Sequence, residues 1–114
     1  MIDLPAQLYG IINALIEDMR WADEIRVRTQ PQREKEVMEI LLETAALASR
    51  NEHPQSSWVY SHCSSSGGFS LILVWDTAVV PILGSDTALL ILDGLKPFGL
   101  LDHTVMIERW RKEK

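Results

Sequence analysis

The sequence predicts an α+β fold: a four-stranded antiparallel sheet with two helices on one face and an extra helix ahead of it. Three observations predict it. Short runs alternate polar and apolar residues, as half-buried strands do. Longer runs repeat apolar residues three and four apart, as helices do. After the first helix the elements follow the order β-α-β-β-α-β. The 114 residues amount to one domain, and a composition of 46% apolar and 24% charged residues is that of a globular chain rather than a disordered one.

The first helix is read over residues 4–19, where Leu4, Leu8, Ile11, Ile12, Leu15, Ile16 and Met19 recur along one face. Asp3 is its candidate N-cap, and Pro5 is tolerated in a first turn because its missing N–H has no partner there anyway. The domain division that follows is an N-terminal amphipathic helix over 1–21 and a ferredoxin-like domain over 22–114. Residues 24–29, Glu-Ile-Arg-Val-Arg-Thr, alternate with Ile25 and Val27 inward. Pro31 stops that strand and opens a helix over 32–51, with Val37, Ile40, Leu41, Thr44, Leu47 and Ala48 on one face. The helix ends at Glu52-His-Pro54, because a residue before proline is pushed out of the helical region.

Strands are expected over 57–63 and 69–75, joined by the Ser/Gly loop 64–68 as a hairpin. The second is apolar on both sides, with Leu71, Leu73 and Trp75 facing one way and Ile72 and Val74 the other. Ser85-Asp-Thr87 restarts a helix that closes near Gly94. Lys96 to Gly99 is expected to be a loop, and 103–110 the last strand.

This order closes naturally as a ferredoxin-like sandwich, with both helices reached by right-handed crossovers. One sheet face is then left without a layer, yet the 69–75 strand carries apolar groups towards it. Such a face is an interaction surface. Its simplest cover is a second copy about a two-fold axis; the alternative is the N-terminal helix, folded back or swapped.

The formal charge of −5 argues against non-specific binding to nucleic acid or anionic membrane. Arg26, Arg28 and the tail Arg109 to Lys112 are read as solvated charges. One cysteine, Cys63, fits a reducing compartment, and no apolar run is long enough to span a membrane. Asp3 stands where a signal peptide needs basic residues, so the cytoplasm is the expected location.

Glu52-His-Pro54 leading into a strand, the Ser/Gly hairpin, and a strand ending in Trp75-Asp-Thr77 before a second helix resemble the antibiotic biosynthesis monooxygenase-like family of dimeric α/β barrels. The resemblance covers about residues 22–110. It implies a homodimer whose open sheet faces pack together, and in each subunit a pocket between sheet and helices. In catalytic members that pocket takes an aromatic polyketide, a quinol or haem, and some oxidise it without a separate cofactor. Those members commonly carry a polar residue, often Asn, on the first strand and a His in the second helix. The stretches taken to match here are Ile25-Arg-Val-Arg-Thr29, which holds no Asn, and Val79 to Gly84, which holds no His. No cofactor is therefore expected, and haem degradation is not.

Trp58, Tyr60, His62 and Trp75 are the pocket candidates. The first three share one strand face, which either lines an aromatic pocket or forms a half-exposed dimer contact; the latter is favoured, since aromatics are enriched at interfaces. His53, His62 and His103 show no metal-ligand spacing. His53 reads as a loop residue and His103 as a structural hydrogen-bonding group. Asp76, Asp86 and Asp102 read as caps of helices or turns. The Ser/Gly loop opens no helix, which argues against a phosphate site. The functional expectation is a small cofactor-independent monooxygenase-like protein, or a degenerate relative, binding a flat hydrophobic or aromatic molecule. The alternative is a non-catalytic dimeric module for ligand sensing or protein interaction.

Overall fold

The computed structural model describes residues 20–64, 66–77 and 79–112. The predicted helix over 4–19 lies outside the described residues. Strand β1 spans Trp21–Arg28, helix α1 Glu34–Asn51, β2 Ser56–Ser61, β3 Gly68–Trp75, α2 Asp86–Leu95 and β4 Leu100–Ile107. Short 3-10 turns at Pro31–Arg33 and Lys96–Phe98 lead into α1 and β4. The sheet order is β2-β3-β1-β4 with every pair antiparallel, which is the ferredoxin-like arrangement; the sheet of one chain is open, not closed.

The register shows which face each residue takes. Ile25 lies opposite Leu71 and His103, and Leu71 lies opposite Val59. With a period of two, Trp21, Asp23, Ile25, Val27, Val59, Phe69, Leu71, Leu73, Trp75, Leu101 and His103 share the helix-covered face. Ile25, Val27, Phe69, Leu71 and Leu73 from this set pack with Val37, Leu41 and Ala48 of α1 and Ala88 and Leu95 of α2 into one core. Trp58, Tyr60, Ser70, Ile72, Val74, Ala22, Glu24, Arg26, Asp102, Thr104 and Met106 take the open face.

Several boundaries differ from the sequence reading, each for a physical reason. β1 begins at Trp21 rather than 24, because Trp21 and Asp23 continue the inward phase and pair with Trp75 and Leu73. α2 runs through Gly94 to Leu95, whose side chain is drawn into the core. Residues 96–98 are a 3-10 turn, not an irregular loop. β4 starts at Leu100, three residues early, because the turn delivers Gly99 directly against β1. A Cβ on Gly99 would sit 2.3 Å from the Arg28 carbonyl oxygen, so only glycine permits that approach. Thr29 Oγ1 donates to the Phe98 carbonyl at 2.7 Å and pins the same junction. β2 stops at Ser61, leaving His62 and Cys63 beyond it, although His62 N still donates to the Gly68 carbonyl. Leu47, expected inward, is exposed: it sits about 100° round the helix from Ala48.

Candidate functional site

A charged side chain lies inside the helix-covered layer. Asp23, on β1 between Trp21 and Ile25, has no exposed surface. Burying a carboxylate without partners is costly, so its surroundings must satisfy it. They do, from three distant segments. Trp75 Nε1, at the end of β3, donates to Oδ2 at 2.8 Å. Ser85 Oγ donates to Oδ2 at 2.6 Å, and Ser85 N donates to Oδ1 at 3.2 Å. His103 Nε2, on β4, meets Oδ1 at 2.8 Å. A carboxylate only accepts, so the proton of the imidazole sits on Nε2 in this pair.

Local structure fixes each donor. Ser85 is the N-cap of α2: its hydroxyl oxygen accepts from Ala88 N at 3.0 Å while its proton goes to Asp23. One residue thus starts the helix and holds the carboxylate. Gly84 has φ +93°, a left-handed conformation, and a Cβ there would lie 2.3 Å from His103 Cε1 and 2.5 Å from Asp23 Oδ1. The backbone can cross the Asp–His pair only as glycine. Trp21 stacks on Trp75 with centroids 6.0 Å apart and planes at 27°, and its Nε1 donates to Thr77 Oγ1 at 2.7 Å. The loop from Trp75 to Ser85 carries Val79, Ile82 and Leu83 outward, with Ile82 91% exposed. At the edge of the sheet, His103 lines a cavity of about 440 Å³ with Leu92, Lys96 and Leu101.

The open face carries a separate polar chain. Arg26 NH1 donates to Glu24 Oε1 at 3.1 Å, NH2 donates to Thr104 Oγ1 at 3.1 Å, and NH2 also pairs with Asp102. Ser70 Oγ donates to Glu24 Oε2 at 3.1 Å, so it accepts from His62 Nε2 at 2.8 Å. The hydrogen bond from Arg26, with its charge, holds the Asp102 carboxyl below the usual carboxylate range. Asp102 is therefore an ion-pair partner within a strand, not a cap as the sequence suggested.

The four sequence-predicted pocket residues do not converge. Trp58 and Tyr60, each about half exposed, stand on the open face near His62. Trp75 is on the other side of the sheet, bonded to Asp23. Sequence reasoning missed Asp23, Ser85 and Trp21 as site residues. The available signal was the alternation itself: carried back from Ile25, it places Asp23 and Trp21 inward. Among the described residues, no group of three His, Cys, Asp or Glu side chains gathers as metal ligands would, and no helix is long and apolar enough to cross a membrane.

No family model and no curated protein matches the sequence. Solved structures do. A candidate antibiotic biosynthesis monooxygenase from Deinococcus radiodurans superposes with a TM-score of 0.60 at 14% identity, over 82% of this chain and 95% of that one. One from Caulobacter crescentus gives 0.60 at 14% identity, over 88% and 97%. The chain has the antibiotic biosynthesis monooxygenase fold. A variant of SnoaB, a cofactor-independent oxygenase from Streptomyces nogalater, shares it with a TM-score of 0.55 at 15% identity, over 86% and 99%. At these identities the likeness is one of fold. The first strand carries an inward polar side chain, Asp23, two residues ahead of the stretch Ile25 to Thr29. Trp75 donates to it, and Ser85 at the head of α2 donates to it as well.

Proposed function

We propose that this protein is a small cofactor-independent monooxygenase-like dimer that binds a flat hydrophobic or aromatic molecule, with Asp23, Trp75, Ser85 and His103 as its site. One observation carries the reading. An ionisable group is placed wholly inside an apolar layer and is held there by an indole, a hydroxyl and an imidazole from separate segments. Such a placement carries a desolvation cost that stability alone does not call for, which favours a functional role. The resemblance adds support on one point: catalytic members of the family commonly carry a polar residue on the first strand, where this chain has Asp23, whereas the His they carry in the second helix has no counterpart over Val79 to Gly84. Half-buried Trp75, backed by the buried ring of Trp21, offers an aromatic face, and Val79, Ile82 and Leu83 give the connecting loop an apolar rim.

The open face supports the dimer. Trp58, Tyr60 and Met106 are exposed there beside half-buried Ile72 and Val74. A second copy of the same face covers them and brings the two sheets together. The segment over 1–21 is then a separate addition to the 22–114 domain. Native mass spectrometry of freshly purified full-length chain tests the reading. The expected species is a dimer of two 12.9 kDa chains that keeps a small aromatic molecule or takes one up. A ligand-free monomer at low micromolar concentration that takes up no aromatic compound would overturn it.

A further inference from the structure

We propose that the hollow between the end of β1 and the turn before β4 binds a small carboxylate with an apolar body, Arg28 and Arg33 holding the carboxylate and Pro97 and Leu100 the body. The hollow has a volume of about 460 Å³, within the usual size of small-molecule sites. It is separate from the Asp23 cluster and goes beyond the function proposed for it. Arg28 closes β1, whereas Asp23 lies near its start, roughly 17 Å away along the strand.

The lining decides the charge of the ligand. Two guanidiniums, Arg28 and Arg33, stand on the wall, and no described Asp or Glu lines it. Glu36 pairs with Arg33 from outside the hollow and does not use all of it. Arg33 Nε donates to Glu36 Oε2 at 3.1 Å, Nη2 to Glu36 Oε1 at 3.2 Å and Nη1 to the Pro97 carbonyl at 3.2 Å. A guanidinium has five N–H groups, so each terminal nitrogen keeps one more. A carboxylate accepts two such bonds side by side.

The wall is set before a ligand arrives. Arg33 Cζ lies 4.9 Å above the centre of the Phe98 ring, so the fork is held by stacking as well as by Glu36 and Pro97. A planar cation fixed in this way loses little freedom when it binds an anion. The floor is tied from both sides: Thr29 Oγ1 donates to the Phe98 carbonyl, and Thr29 N donates to the Gly67 carbonyl at 2.8 Å. Beside the cations stand Pro97 and the exposed Leu100, which have nothing to offer a bare phosphate or sulfate. They suit a short hydrocarbon attached to the carboxylate, whose burial adds to the ion pairing.

The test titrates full-length protein with hexanoate, with its neutral counterpart hexanamide and with inorganic phosphate, all at one ionic strength, and follows backbone amides by nitrogen-15 NMR. Hexanoate should shift the amides of Thr29, Gln30, Gly99 and Leu100 to saturation and leave those of Asp23, Ser85 and His103 in place. Hexanamide should bind about tenfold more weakly, and Arg33→Gln should weaken hexanoate by about the same factor, the loss of one charge-assisted contact. Arg28→Gln should weaken it in the same direction. Arg33 and Glu36 are both exposed, so the Arg33→Gln variant should fold, and an amide spectrum otherwise like that of the wild type checks this. No saturable shift at the four amides, equal affinity for hexanamide, or undiminished affinity in Arg33→Gln overturns the proposal. Phosphate shifting the four amides where hexanoate does not overturns the carboxylate class. Shifts confined to Asp23, Ser85 and His103 overturn the location.

Discussion

Alanine at Asp23 should destabilise the fold by about 3–5 kcal/mol, the usual cost of removing one partner from a buried charged network. The argument is one of orphaned groups. Without the carboxylate, Trp75 Nε1, the Ser85 hydroxyl and amide, and the His103 ring nitrogen lose an acceptor together. Each unsatisfied buried donor costs about 1–3 kcal/mol, and the costs do not simply add, since water entering the space recovers part. Ser85 also caps α2, so its release loosens the helix start. A domain of this size has roughly 5–15 kcal/mol in total, so the variant should lose a large part of its stability. Chemical denaturation with tryptophan emission follows it directly, because Trp75 lies in the cluster. A loss under about 1 kcal/mol would mean that Asp23 is solvated and that the site is not buried.

Asp23 also shows where sequence reasoning reached its limit. Ile25, Val27, Leu71 and Leu73 were legible as core because alternation marks a strand and these residues occupy its apolar phase. The hairpin at 64–68 was legible from its serines and glycines. An aspartate ahead of such a strand reads as a solvated end, because a carboxylate normally belongs in water. What reverses this is supplied by Trp75, Ser85 and His103, which lie 52, 62 and 80 residues away in sequence. Periodicity carries no information about such partners. The same limit explains the split pocket set. Trp58, Tyr60 and His62 share a face by period two, as read. Whether that face is Trp75's depends on the register of β2 against β3, where Val59 meets Leu71. A slip of one residue would have reversed the answer. The strand boundary, drawn at residue 24, left Asp23 outside the strand and so outside its inward phase.

Trp75→Ala should cost about 3–5 kcal/mol, the range for truncating a packed aromatic. The ring packs against the core, stacks on Trp21 and donates to Asp23, so three contributions go at once. Trp75→Phe separates them. Phenylalanine keeps an aromatic face for Trp21 but has no N–H, leaving Asp23 held by Ser85 and His103. Its cost should be about 1–3 kcal/mol, the value of one hydrogen bond to a charged group. The two variants should also part in binding. The alanine variant loses the aromatic face of Trp75 and with it uptake of an aromatic compound; the phenylalanine variant keeps both. If the two lose stability equally, the hydrogen bond to Asp23 dominates and ring packing is minor. If both are near neutral in stability and both still take up an aromatic compound, Trp75 holds neither core nor ligand, and the site built around Asp23 must be placed elsewhere in the fold.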